Sequence, residues 1–156
     1  MSSRKGTLVI IGGAEDKYQQ PKILEEVVGL IGGQDARLGI ITTATEHPEE
    51  SGHTYREVFA RLGIRETEIL DIRTRDDANA EENTRIMRDM DGFFFTGGDQ
   101  LRITSILGGT RVYEELHDSF NHGAAIIGTS AGASVMCSTM IVEGNSNDAA
   151  RKCTLK

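Results

Sequence analysis

Five short runs rich in apolar residues recur along the chain. They cover residues 7–12, 37–43, 68–72, 92–96 and 124–129. Apolar residues are nearly continuous within each run and do not alternate with polar ones, a pattern typical of parallel strands covered on both faces. The sequence therefore predicts five buried parallel strands.

Apolar residues recur at helical spacing between these runs. One stripe contains Ile23, Leu24, Val27, Val28 and Ile31, a second Tyr55, Val58, Phe59 and Leu62, and a third Ile86, Met87 and Met90. Such one-sided stripes predict helices that pack against a sheet, and Pro21 and Pro48 fall where the first two would begin. Strands alternating with helices favour right-handed crossovers. We expect one α/β domain over residues 1–156, doubly wound in three α/β/α layers around a mostly parallel sheet.

Composition narrows the class of protein. The chain has 17 Lys and Arg against 24 Asp and Glu, a net charge of −7, and this acidic balance disfavours nucleic acid as a partner. The apolar run near the N-terminus is too short for a signal peptide or a membrane span. We therefore expect a cytoplasmic protein without a membrane partner, in which Cys137 and Cys153 remain thiols. Their spacing predicts no metal site, and no cofactor is expected.

The motif with the clearest chemistry is G-x-S-x-G at residues 128–132, which directly follows the fifth predicted strand. A sharp strand-to-helix turn with glycine on both sides lifts the central serine out of the sheet, as in a nucleophile elbow. Ser130 is the candidate nucleophile, and the N–H of Ala131 would face an oxyanion bound to it. A structural alternative is that Ser130 only caps the helix that follows.

Two further glycine-rich loops follow predicted strands and reach the same edge of the sheet. Gly97 and Gly98 could expose backbone N–H groups, which would make Gly98 the second oxyanion donor. Asp99 could equally serve as the N-cap of the next helix. The loop at residues 12–16 could bind an anion, although it lacks the G-x-G-x-x-G spacing of a dinucleotide site.

A serine nucleophile needs a base, most often histidine. His117 and His122 precede the fifth strand, so they should lie at the edge of the sheet opposite Ser130. His47 and His53 follow the second strand and share the edge with Ser130, but each is better explained as a surface residue of a loop or helix.

Three motifs together resemble the serine peptidase family that contains the cyanophycinases and the aspartyl dipeptidases. They are GGAEDK at 12–17, FFTGGDQL at 94–101 and GTSAGAS at 128–134. The resemblance implies a sheet like that of class I glutamine amidotransferases and cleavage of cyanophycin, an arginylated polyaspartate, to β-aspartyl-arginine. It also implies that Ser130 is the nucleophile, that Gly98 and Ala131 are the oxyanion donors, that Gln100 contacts substrate, and that the protein forms a homodimer.

One departure from the family pattern concerns the base. In the family the catalytic histidine and its acid follow the serine, whereas the 26 residues after Ser130 contain no histidine. We therefore expect the chain to hold the nucleophile without the complete triad, with its C-terminal part missing. An uncovered apolar sheet edge would then favour self-association.

Three alternatives remain open on the sequence. The first is an aspartyl dipeptidase-like peptidase that cleaves α-linked Asp-X. The second is a non-catalytic flavodoxin-like module that binds an anion with loops 12–16 and 97–100. The third, an amidotransferase-like subunit, is disfavoured because neither cysteine occupies the elbow.

Overall fold

A computed structural model describes residues 5–143 and 151–154 of the protein, with side chains for residues 5–141. Its central sheet contains β1 (Leu8–Ile11), β2 (Arg37–Ile41), β3 (Glu66–Leu70), β4 (Gly92–Phe95) and β5 (Ala125–Thr129). The strands are all parallel and lie in the order β1-β5-β4-β2-β3. Their carboxyl ends therefore share one edge, and the predicted parallel α/β sheet is confirmed.

Helices connect the strands. They are α1 (Lys22–Ile31), α2 (Pro48–Arg61), α3 (Arg75–Asn79), α4 (Glu81–Met87), α5 (Gln100–Leu107), α6 (Arg111–Asn121) and the single turn α7 (Ala131–Ser134), with a short 3₁₀ helix at Gly33–Asp35. After α7, β6 (Thr139–Glu143) and β7 (Arg151–Thr154) form a separate antiparallel pair.

Two apolar cores flank the sheet. On one face α1 and α2 bury Leu24, Val27 and Phe59 against the sheet. On the other face the core contains residues of the helical segments from α3 to α7. Phe94 belongs to the first core, whereas its neighbours Phe93 and Phe95 belong to the second, because successive side chains of a strand point to opposite faces. The three-layer arrangement predicted from the sequence is thus present.

Local chemistry explains several helix ends. Pro48 occupies the first turn of α2 and Pro21 immediately precedes α1, as predicted, since the fixed φ of proline suits a helix start. Gly32 ends α1 in a left-handed conformation with φ 118°, the usual role of a C-cap glycine. Thr74 and Asp77 form a capping box that begins α3, which the apolar pattern did not predict.

Two expectations about the strands were wrong in detail. The third strand lies at Glu66–Leu70, two residues earlier than predicted. It is an edge strand with exposed glutamates at its start, so its first residues do not belong to a continuous apolar run. The strands were also expected to be covered on both faces. Leu8 and Ile10, which share one face of β1, are 50% and 64% exposed among the described residues, so that face is not covered.

Two other features bear on the sequence-based expectations. Among the helices that the structure describes, none is long and apolar enough to cross a membrane. Cys137 is an exposed free thiol, whereas the side chain of Cys153 lies outside the described residues.

Candidate active site

The turn between β5 and α7 consists of Ser130 alone. Its backbone has φ 54° and ψ −112°, a combination that costs a non-glycine residue about 1–3 kcal/mol. Ser130 is exposed, although its neighbours Thr129 and Ala131 are 2% and 3% exposed. The serine therefore protrudes from buried surroundings, which is the arrangement expected of a nucleophile elbow.

Glycines on both sides of the serine let the strand and the helix approach each other. A Cβ at Gly128 would lie 2.3 Å from the carbonyl oxygen of Gly132, and a Cβ at Gly132 would lie 2.7 Å from Cβ of Phe95. Neither distance is compatible with a side chain. The steric reason for the G-x-S-x-G spacing is therefore confirmed.

Backbone hydrogen bonds fix the turn on both sides. The N–H of Ser130 donates to the carbonyl oxygen of Ile11 at 3.0 Å, and the carbonyl oxygen of Ser130 accepts from the N–H groups of Ala133 and Ser134. These bonds connect the turn to β1 and to α7. The loop after β1 comes close as well, since a Cβ at Gly13 would lie 3.2 Å from Cβ of Ser130.

The loop after β4 forms another side of the site. A Cβ at Gly97 would lie 3.5 Å from Cβ of Ser130. Gly98 has φ 144°, and a Cβ there would lie 2.1 Å from the carbonyl oxygen of Ala44, so only glycine fits. Among the described residues, the N–H of Gly98 has no hydrogen-bond acceptor. The N–H of Ala131, at the first position of α7, has no acceptor within its own helix.

The residue after Gly98 serves as a helix cap. Oδ1 of Asp99 accepts from the N–H of Leu101 at 2.8 Å, which confirms the N-cap alternative for this side chain. Gln100 begins α5, and its Nε2 donates to the carbonyl oxygen of Ile141 in β6 at 3.1 Å. That contact connects α5 to β6, and the substrate contact implied for Gln100 by the family resemblance stays a prediction.

The histidines lie where the chain order predicted, without a contact to the serine. His47 immediately precedes α2 and His53 lies within it, and both are exposed. Nδ1 of His122 is 2.7 Å from the carbonyl oxygen of Asp118 at the end of α6. In the part of the chain with described side chains, no imidazole is hydrogen-bonded to Oγ of Ser130.

A buried carboxylate behind the turn was missed by sequence reasoning. The side chain of Glu15 is 1% exposed. Its Oε1 accepts from the hydroxyl of Tyr55 at 2.5 Å, and its Oε2 accepts from Oγ1 of Thr129 at 2.7 Å. Nζ of Lys17 lies 3.4 Å from Oε1 of Glu15 and forms an ion pair with it. Glu15 thus links the loop after β1, helix α2 and the residue before Ser130.

These contacts determine the charge state of Glu15. Burial raises the pKa of its carboxyl, but the hydrogen bonds from Tyr55 and Thr129 and the charge of Lys17 outweigh it, so the pKa lies below its usual range. Burial and the neighbouring carboxylate raise the pKa of Tyr55, which keeps its hydroxyl a donor. The loop at 12–16 therefore already contains a buried negative charge, which disfavours an anion site there.

The parallel sheet and the one-residue turn at Ser130 place this chain among the α/β proteins in which a sharp turn joins a strand to a helix at the carboxyl edge of the sheet. A model of peptidase family S51 matches residues 8–154. The chain belongs to this family, in agreement with the resemblance seen in its motifs.

Curated relatives point the same way. The chain is 40% identical over 149 residues to a cyanophycinase of Synechococcus elongatus, a match that covers 95% of this chain and 46% of the relative. It is 37% identical over 145 residues to a cyanophycinase of Trichormus variabilis, covering 92% of this chain and 49% of that protein. The chain thus spans about half the length of these relatives.

Two solved structures share the fold. A peptidase from an acI-B1 Actinobacterium superposes with a TM-score of 0.78 at 24% identity, covering 90% of this chain and 60% of the other. A putative peptidase E protein from Listeria monocytogenes superposes with a TM-score of 0.63 at 20% identity, covering 85% and 62%. At these identities the likeness establishes the architecture alone.

Proposed function

We propose that this chain provides the nucleophile of a serine-type peptidase that resembles cyanophycinase and cleaves an aspartate- and arginine-containing polymer to β-aspartyl-arginine. The observation that carries the proposal is the exposed, strained Ser130 beside the loop of Gly98. Backbone strain persists only where the surrounding structure enforces it, and such outliers concentrate at functional sites. Family membership and the named cyanophycinase relatives support the substrate class.

The reaction follows from the positions of these groups. Oγ of Ser130 attacks the carbonyl carbon of the scissile amide while a base removes its proton. The negative charge that develops on the carbonyl oxygen is stabilised by the N–H groups of Gly98 and Ala131. Loss of one such donor typically costs about 3–4 kcal/mol of transition-state stabilisation. The amine then leaves with a proton, and water releases the acyl group from the serine.

The general base is proposed to be none of the four histidines. His47 and His53 are exposed, and neither forms a hydrogen bond to Ser130. Substituting either with alanine should leave turnover of the polymer unchanged. Robust turnover by the 156-residue chain that His47→Ala or His53→Ala abolishes would contradict this part of the proposal.

A fluorophosphonate probe tests the nucleophile itself. In the protein as the cell makes it, the probe should label Ser130, and Ser130→Ala should abolish the label. Ser105→Ala, which alters an exposed serine in α5, is the matched control and should leave labelling intact. An unlabelled protein that nevertheless releases β-aspartyl-arginine would refute a serine nucleophile, and preferential cleavage of α-linked Asp-X would favour the aspartyl dipeptidase alternative.

The proposal includes a homodimer. Edge strand β1 presents unpaired backbone groups within the described residues, and its Ile10 is 64% exposed. Edges of this kind favour pairing with another chain. Sedimentation equilibrium should show a dimer that Ile10→Lys weakens; a monomer at all concentrations would contradict this part.

A further inference from the structure

A polar cleft of about 210 Å³ lies at the carboxyl ends of β2 and β3. Its walls come from the segment after β2, the segment after β3 and helix α5. The lining residues are Thr42, Thr43, Thr45, Glu46, Pro48, Ile72, Arg73 and Arg102. Pockets for drug-sized ligands measure about 300–1,000 Å³, so this cleft fits one residue-sized group and not a whole polymer.

The cleft borders the candidate active site, from which the backbone at Ala44 separates it. Ala44, between two lining threonines, accepts the N–H of Asp99 on its carbonyl oxygen at 2.8 Å. The same oxygen lies 2.1 Å from the position that a Cβ on Gly98 would occupy. A group bound in the cleft would therefore sit one chain segment away from the proposed oxyanion donor Gly98.

The two arginines of the cleft differ in their partners. Arg73 donates to Asp71 at 2.9 Å and to Glu49 at 3.3 Å, so its charge is compensated. Arg102 is half-buried, and the only hydrogen bond of its side chain among the described residues runs from Nε to the carbonyl oxygen of Thr43 at 3.3 Å. No carboxylate in that part of the chain pairs with Arg102.

The wall also contains a hydroxyl with unused bonding capacity. Thr42 is 1% exposed, and its Oγ1 has no hydrogen-bond partner among the described residues. Buried polar atoms without partners are uncommon in folded proteins. The cleft thus combines an uncompensated guanidinium with a polar wall, and the carboxylate of Glu46 lies on the same lining.

We infer that this cleft is the specificity subsite for the arginyl residue of the substrate: Arg102 binds its free carboxylate, and Glu46 binds its guanidinium. The inference rests on the proposed function. A guanidinium is a planar fork that matches a carboxylate with two parallel hydrogen bonds. Arginine attached through its α-amine keeps both a carboxylate and a guanidinium, so it complements the two opposite charges of the cleft.

Binding of a dipeptide to Ser130→Ala protein tests the subsite without turnover. The probes are β-aspartyl-arginine, the same dipeptide with its arginine carboxylate amidated, and β-aspartyl-citrulline, which lacks the guanidinium charge. Calorimetry should show about tenfold weaker binding of each altered probe. Equal binding of the acid and the amide, or no binding of the dipeptide at all, would overturn the inference.

Variants of Arg102 and Glu46 test which residue binds the carboxylate of the ligand and which binds its guanidinium. Arg102→Met should weaken binding of β-aspartyl-arginine about tenfold and remove the preference for the acid over the amide, and Arg102→Lys should restore part of it. Glu46→Gln should remove the preference for arginine over citrulline. Arg111→Met removes the same charge at an exposed position outside the cleft and should change binding less than twofold.

The two proposals fail in different ways. An Arg102-dependent preference for the acid, together with absent fluorophosphonate labelling of Ser130, would preserve the subsite and refute the serine chemistry. Normal labelling together with unchanged binding in a folded Arg102→Met protein would refute the subsite and preserve the serine chemistry. Thermal unfolding of each variant identifies any loss that comes from misfolding, and Arg102→Gln, which also removes the charge, is the deciding variant if the methionine variant does not fold.

Discussion

Both strand-to-helix turns of the candidate site contain a residue at positive φ, but the residue type differs between the two turns. The turn after β5 is a single non-glycine residue, Ser130, held at positive φ. The turn after β4 places glycine at its own positive φ, at Gly98, where the carbonyl of Ala44 leaves no room for a side chain. Backbone strain occurs at Ser130, whose side chain is proposed to attack the substrate. Glycine, which is not strained at positive φ, occurs at Gly98, where only the backbone N–H is proposed to take part.

The largest expected effect comes from a methyl group placed inside the first turn. Gly128→Ala would put a Cβ 2.3 Å from the backbone of Gly132, and such overpacking against backbone should reduce the free energy of unfolding by about 3 kcal/mol. Urea denaturation measures the change. Gly29→Ala, in the exposed middle of α1 with nothing within 4 Å, should instead stabilise by about 0.5–1 kcal/mol.

Unchanged stability in Gly128→Ala would mean that strand and helix are not in close contact at this turn. Gly98→Ala makes the same test on the second turn, where positive φ adds to the clash. If only Gly98→Ala were destabilising, the steric account of the serine motif would be wrong.

An intermediate effect is expected from the carboxylate behind the first turn. Glu15→Ala removes the acceptor of the buried hydroxyls of Tyr55 and Thr129, so the free energy of unfolding should fall by about 2 kcal/mol. Glu57→Ala, at an exposed position of α2, removes the same charge and should change stability by less than about 0.5 kcal/mol.

The Glu15 variants also predict a pH dependence. Because the pKa of Glu15 is lower in the folded protein than in the unfolded chain, its contribution is complete above about pH 4.3 and is lost as the pH falls through the folded pKa. Unfolding measured from pH 7 to pH 3 should therefore show a shallower loss of stability in Glu15→Gln than in the parent. An equally steep loss would mean that Glu15 is not held ionised in the fold.

The smallest expected change in stability comes from replacing Ser130, and it tests whether the backbone of that residue is strained. Ser130→Gly should raise the free energy of unfolding by about 1 kcal/mol, because glycine adopts positive φ without steric cost. The same substitution in the helix interior, Ser105→Gly, should lower it by about 0.5 kcal/mol. A loss of stability in both variants would show that the conformation of Ser130 is unstrained.

Local features of this molecule could be predicted from sequence, and contacts between distant segments could not. The serine turn was predictable because its glycines and its strand are neighbours in the chain. Glu15 was missed because its partners Tyr55 and Thr129 are 40 and 114 residues away. Arg102 was missed for the same reason, since its contact with Thr43 spans 59 residues.

Polarity and length explain the missed elements of the fold. Helix α3 has five residues, four of them polar, and it depends on the capping box of Thr74. Met90 continues the predicted third stripe, but α4 ends at Met87. Strand β3 was shifted because its first three residues are polar, whereas the buried β4 matched its predicted start at Gly92.

The pairing of β1 with β5 has a consequence for how the protein is made. Leu8 pairs with Ile126, and the carbonyl oxygen of Ile11 accepts the N–H of Ser130, so β1 cannot form this pairing until the much later strand β5 has been synthesised. Contacts between such distant segments slow folding, and an unpaired apolar strand is open to aggregation meanwhile. Until residue 130 has been synthesised, β1 therefore lacks its partner strand in the central sheet.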